Sequence, residues 1–112
     1  MTANTLTPQM ITGRSTEHLV VLTGNHRMQP QAVDAFFAMQ QAAKKAGFDL
    51  QPASTFRDFD RQLAIWNGKF RGERPVLDKD SQPIDISQLD AASRCEAILR
   101  WSALPGASRH HW

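Results

Sequence analysis

Between Pro30 and Gly47 the sequence writes one amphipathic helix with both ends marked. Pro30 presets φ for a first turn and lacks the N–H that a first turn leaves unpaired, while Gly47 can take the left-handed turn that stops a helix. Val33, Phe36, Phe37, Met39, Ala43 and Ala46 recur at three- and four-residue steps, which places them on one stripe. Gln40, Gln41, Lys44 and Lys45 take the other face, with the lysines at the end where the helix dipole favours cations. A helix with one apolar stripe needs another element to cover it, so the flanking segments must supply a sheet or further helices.

Several segments offer that cover. His18-Leu19-Val20-Val21-Leu22-Thr23 is a short apolar, β-branched run that reads as a strand, and Gly24-Asn25 marks a turn after it. Residues 1–17 are Thr-rich without periodicity and read as a loose leader. Residues 48–53 alternate apolar and polar side chains and read as a second strand. Asp58 can cap a second helix whose Phe59, Leu63, Trp66 and Phe70 share one face. Residues 71–88, rich in Pro, Asp, Ser and Gln, read as a long excursion with little structure of its own, and loops of that length in a compact domain are often functional. Ser87 or Asp90 starts a third helix, with Ala91, Cys95, Ile98, Leu99 and Ser102 on its buried side and Pro105-Gly106 as its stop. The order of elements gives an α+β fold, with residues 18–112 as one domain.

Composition excludes several classes of function. A chain of 112 residues has room for one domain at most. The net charge of +2 comes without a basic tract, since residues 69–74 are too short a run and include Glu73, so nucleic acid is not an expected partner. A single cysteine, Cys95, rules out an internal disulfide and a multi-cysteine zinc site. No apolar run reaches membrane-spanning length, and the amino terminus lacks the basic start and apolar stretch of a secretory signal, which points to the cytoplasm. No phosphate loop or dinucleotide fingerprint is present, and Asp78, Asp80 and Asp85 lack the glycine that a calcium loop needs.

Four residues remain as candidates for chemistry. In an extended Ser108-Arg109-His110-His111-Trp112, the adjacent histidines would point to opposite faces, so one of them at most belongs to a given metal site. Ser108 would share the face of His110 and stand ready for a substrate carboxylate or a ligand-supporting role. Arg57, between a strand and a helix cap, can hold a carboxylate or stabilise a developing oxyanion. Spacing alone favours the simpler reading, in which Arg57 pairs with Asp58 or Asp60. Gln62, one turn into the helix, can orient Arg57 or lie on the surface.

Two stretches carry a family resemblance. The segment Ser54-Thr55-Phe56-Arg57-Asp58, followed by Gln62 and Trp66, resembles the zinc D,D-carboxypeptidases of the vancomycin-resistance type, in which a Ser-x-Tyr/Phe-Arg-Ser pattern precedes a Gln and then a Trp. The ending Ser108-Arg109-His110-His111-Trp112 looks like the approach to their Ser-x-His-x-x-Gly-x-x-x-Asp motif. The resemblance runs from about Leu19 to Trp112. It implies helices packed on a small antiparallel sheet, in the Hedgehog/D,D-peptidase manner, with the C-terminal half of the domain missing. Carried over residue by residue, His110 matches the first zinc ligand and His111 falls on a variable position. Arg57 matches the arginine that polarises the scissile carbonyl, Ser108 a serine near the terminal carboxylate, and Gln62 a supporting position.

The implied chemistry is zinc held by three protein ligands with an open position for water, a glutamate base, and Arg57 facing the developing negative charge. The implied substrate is a peptidoglycan-derived D-Ala-D-Ala peptide, which would place the work in the periplasm or cell wall. The Gly, the Asp, the glutamate base and the final histidine of that pattern do not appear, so the expectation is an N-terminal fragment that is inactive alone. A non-catalytic cell-wall peptide-binding module that keeps Arg57 and Ser108 is the alternative.

Overall fold

The computed structural model describes residues 5–112. The helix marked by Pro30 and Gly47 is present as α2, described with the other elements in chain order. These are α1 (Pro8–Ile11), β1 (Val20–Thr23), β2 (His26–Met28), α2 (Pro30–Lys45), α3 (Phe59–Phe70), β3 (Val76–Leu77), β4 (Pro83–Ile84) and α4 (Ala91–Leu99). Single 3-10 turns cover Ile86–Gln88 and Arg109–His111. β1 pairs antiparallel with β2 through Val20↔Met28 and Val21↔Arg27, and β3 pairs antiparallel with β4. The fold is α+β, with helices beside two small antiparallel hairpins, as expected.

The caps follow from the residues at the element ends. Asp58 accepts a hydrogen bond from the Arg61 N–H (2.7 Å), and Asp90 accepts one from Ser93 (2.8 Å), each satisfying a donor that the first turn leaves free. Of the two starts considered for the third helix, Asp90 is therefore the one used. Gly47, at φ +88°, ends α2.

Four expectations are corrected. Residues 48–53 make no strand; the segment is irregular, with a bend at Ala53, and the Gln40 side-chain amide donates to the Leu50 carbonyl (2.8 Å). Residues 71–88 are not an unstructured excursion. Asp78 Oδ1 accepts from the N–H groups of Asp80 and Gln82, closing a turn through Ser81 at φ +60°, and the resulting hairpin delivers Val76 and Ile86 to the core. Thr7 to Gly13, read as part of a loose leader, form the capped turn α1, which meets the 3-10 turn at Arg109–His111. Finally, residues 108–111 are not a strand: Ser108 Oγ accepts from the His110 N–H (3.1 Å) and caps that 3-10 turn.

The core is small and sits between α3, α4 and the β3–β4 hairpin. Trp66, Val76, Ile86 and Ile98 pack together, with Phe70, Ile84, Leu89 and Cys95 around them. The buried face of α3 is Gln62, Ile65 and Trp66, and Leu63 turns outward. On α2 the expected stripe divides: Val33, Phe36 and Ala43 are half-buried over β1, whereas Phe37, Met39 and Ala46 face out. The chain is also spread out. Its radius of gyration is 17.0 Å, against roughly 13 Å for a close-packed chain of this length. The shortest extent is 21 Å, the thickness of two layers. No helix among the described residues is long and apolar enough to cross a membrane.

Ile98 is 1 % exposed and Leu99 47 % exposed, although they are neighbours. Ile98→Ala is expected to cost about 3 kcal/mol by emptying the core, and Leu99→Ala under about 1 kcal/mol. Urea unfolding followed by tryptophan fluorescence checks this, and equal losses would contradict the placement of the core.

Candidate active site

Two stretches far apart in sequence are laced together here, residues 54–57 and residues 108–112. The Arg57 N–H donates to the His110 carbonyl (2.7 Å). The Thr55 carbonyl lies 2.6 Å from His110 Nδ1, and the Arg57 carbonyl lies 2.7 Å from His111 Nδ1. A carbonyl only accepts, so both imidazoles carry their proton on Nδ1. Thr55 is itself held: its hydroxyl meets His26 Nδ1 (3.0 Å) and accepts from the Arg27 N–H (3.1 Å), which ties the site to β2.

His110 thereby has a defined role-ready geometry. With Nδ1–H committed to a backbone carbonyl, Nε2 presents its lone pair, which is the arrangement that orients histidine ligands on metals. His110 is half-buried and lines a recess of about 170 Å³ with Leu19, Met28, Thr55, Phe56 and Trp112. No acidic residue lines that recess. Among the described residues no three His, Cys, Asp or Glu side chains converge on one point. The donors present therefore fit one coordination position of a zinc ion and do not make up the three that a catalytic zinc needs.

Among the described residues Arg57 has no carboxylate partner. Its Nε donates to Ser54 Oγ (3.2 Å) and its Nη1 to Gln62 Oε1 (3.3 Å), which replaces the expected pairing with Asp58 or Asp60. Burial, then the positive charges of Arg61 and Arg74, push its pKa down from the usual guanidinium value. Gln62 is 1 % exposed, and its amide nitrogen donates to the Ala103 carbonyl (2.9 Å). It is a fully used bridge between Arg57 and the segment leading to Ser108, not a surface residue. Ser108 is buried too, and its hydroxyl is spent on the turn that aims His110.

A D-alanyl-D-alanine carboxypeptidase family profile, VanY, matches residues 25–112. The chain belongs to the VanY family. The match spans both laced stretches, so VanY membership covers every candidate residue. A protein of Haemophilus influenzae described only as uncharacterized is 59 % identical over 103 residues, covering 88 % of this chain and 70 % of that protein. No solved structure matches.

Two residues matter that sequence reasoning passed over. His111, assigned to a variable position, is wholly buried. Its Nδ1–H holds the Arg57 carbonyl, its Nε2 accepts from the Gly106 N–H (3.0 Å), and its carbonyl lies 3.0 Å from His18 Nε2. Gly13, at φ +80°, packs directly on that ring, and its carbonyl accepts from the Phe59 N–H (2.9 Å). A doubled histidine was the sole signal for the first, and nothing local marks the second.

Proposed function

We propose that this chain carries the carbonyl-polarising and carboxylate-binding side of a D-alanyl-D-alanine carboxypeptidase site. Its ligand is the terminal D-Ala-D-Ala of a peptidoglycan stem peptide. One observation carries the reading: the Arg57 N–H donates to the His110 backbone carbonyl (2.7 Å), and the His110 imidazole is held by the Thr55 carbonyl (2.6 Å), two residues before Arg57. The His110 imidazole and the Arg57 cation are thus set by one local frame.

In this reading Arg57 faces the carbonyl oxygen of the scissile bond, where a guanidinium is strongest once negative charge develops. Gln62 keeps that guanidinium turned by accepting from Nη1. Ser108 acts from behind the recess, capping the turn that presents His110. The recess beside His110, at about 170 Å³, is below the 300–1,000 Å³ of whole-ligand pockets, which suits the end of a peptide. Zinc, when bound by a full ligand set, would supply a Lewis acid for that carbonyl and for water. His110 Nε2 is the atom offered to it by this chain.

With one donor of the three, the 112 residues alone are proposed to bind the peptide without hydrolysing it. D-alanine release from an acyl-D-Ala-D-Ala peptide is expected to stay at background with added zinc. Zinc affinity is expected to fall well short of the ~10 kcal/mol of a structural site. Peptide binding is expected to survive EDTA, as the binding-module alternative also requires. Chelator-sensitive release of D-alanine by the purified chain would overturn the inactivity and leave the family chemistry in place.

A further inference from the structure

Arg57 is one end of a strip of cations along α3. Lys69 lies seven residues after Gln62 on the same helix, two turns on, or about 10 Å along the axis. Its ammonium donates to Ser102 Oγ, one residue from the Ala103 carbonyl that Gln62 grips. Arg74 is built into the strip from the far end of the helix. Its N–H donates to the Gly68 carbonyl (3.1 Å), and its side chain lies flat on Gly68. A Cβ added at Gly68 would stand 3.0–3.3 Å from Arg74 Cδ, Cγ and Nε. A glycine inside a helix costs roughly 0.5–1 kcal/mol relative to alanine, and here its bareness makes the space that Arg74 occupies.

Among the described residues no carboxylate is a leading charge on Arg57 or Lys69. Besides burial, the charges that act on Arg57 are those of Arg61 and Arg74, and those that act on Lys69 are Arg74 and Arg57; all lower the pKa of the group they face. Asp58 and Glu73 adjoin Arg57 and Arg74 in sequence; Asp58 caps α3 by accepting from the Arg61 N–H (2.7 Å), Glu73 is exposed, and neither is among the charges that act on Arg57 or Lys69. The whole chain is close to balance, with 13 Lys and Arg against 11 Asp and Glu. The strip is therefore a local separation of charge, not a reflection of a basic protein. Like charges held together and partly desolvated are unfavourable until an anion joins them.

We propose that Lys69 and Arg74, which line one recess at the end of the strip away from Arg57, form a second anion subsite, which takes a further oxyanion group of the ligand, a carboxylate or a phosphate. The peptide form of this inference rests on the function proposed above; the anion subsite itself does not. It makes the preferred ligand a peptide with a side-chain carboxylate besides its terminal one.

The test is calorimetric binding of three probes to the purified chain: inorganic phosphate, and two pentapeptides ending in D-Ala-D-Ala that differ by one side-chain carboxylate on the third residue. The expected result is about tenfold tighter binding of the peptide with the extra carboxylate at low salt. That preference shrinks to under twofold in Lys69→Met and Arg74→Met and is retained in Arg74→Lys. Should the Met variants fail to fold, loss of the same preference between 50 and 500 mM salt in the unmodified chain serves in their place. Phosphate binding that is lost in the variants, with no preference between the peptides, supports the subsite and assigns it to phosphate. Phosphate binding without binding of either peptide supports the subsite and sinks the proposed function. Equal binding of both peptides with no phosphate binding, or a preference that survives both Met variants and high salt, overturns the subsite and leaves the proposed function standing.

Discussion

His111→Ala is expected to lower the free energy of unfolding by about 4 kcal/mol. The change strands the Arg57 carbonyl and the Gly106 N–H, at about 1–3 kcal/mol for each buried group left unpaired, and opens a cavity where a fully buried ring stood. His110→Ala is expected to cost about 1 kcal/mol, since its ring is half-buried and makes one bond. The two histidines are adjacent, so this contrast separates their roles. Denaturant melts followed by fluorescence give the sizes, and amide spectra report on the frame: in His111→Ala the resonances of Thr55, Arg57 and His110 should shift together. A larger loss at His110 than at His111 would reverse the assignment of which imidazole holds the fold and which is presented.

Gly13→Ala is expected to cost about 3 kcal/mol. At φ +80° an alanine carries left-handed strain of about 1 kcal/mol. Its Cβ would also fall 2.8 Å from His111 Cγ and 2.7 Å from the Phe59 nitrogen. Neither neighbour can retreat freely, because the ring is bonded on both nitrogens and the Phe59 N–H is bonded to Gly13 itself. The damage is shared with His111, so the two substitutions should not add. In the double variant the ring is gone, and Gly13→Ala should cost about 1 kcal/mol less than in the unmodified chain. Strict additivity in the double-mutant cycle would mean that the N-terminal turn does not brace the site through His111.

Much of the frame was legible because the signals are local. Pro30 and Gly47 bracket α2, and Asp58 and Asp90 cap α3 and α4, each through backbone chemistry that needs no distant partner. Arg57, Gln62 and His110 were named together only through the family resemblance, since spacing alone favoured a simple ion pair for Arg57; in the structure Arg57 bonds to both of the others. What escaped depends on long-range pairing. Residues 48–53 alternate like a strand, but no edge is offered to them, so the pattern goes unused. The 71–88 segment looks polar, yet two apolar residues, Val76 and Ile86, are enough to anchor it. The α3 face was misread by one position because Gln62, a polar residue, is buried by bonding at both ends of its amide. His111 escaped because its partners, Gly13, His18, Arg57 and Gly106, come from across the chain.

We propose that the Thr55–Arg57 and Ser108–Trp112 stretches together face a D-Ala-D-Ala peptide. The direct measurement is titration of the isotope-labelled chain with an acyl-D-Ala-D-Ala peptide and, separately, with its L-Ala-L-Ala counterpart. Saturable shifts are expected at Arg57, Gln62, Ser108 and His110 with the D,D peptide, and none of comparable size with the L,L peptide. Identical shifts with both peptides, or shifts that leave those four residues unmoved, would contradict it.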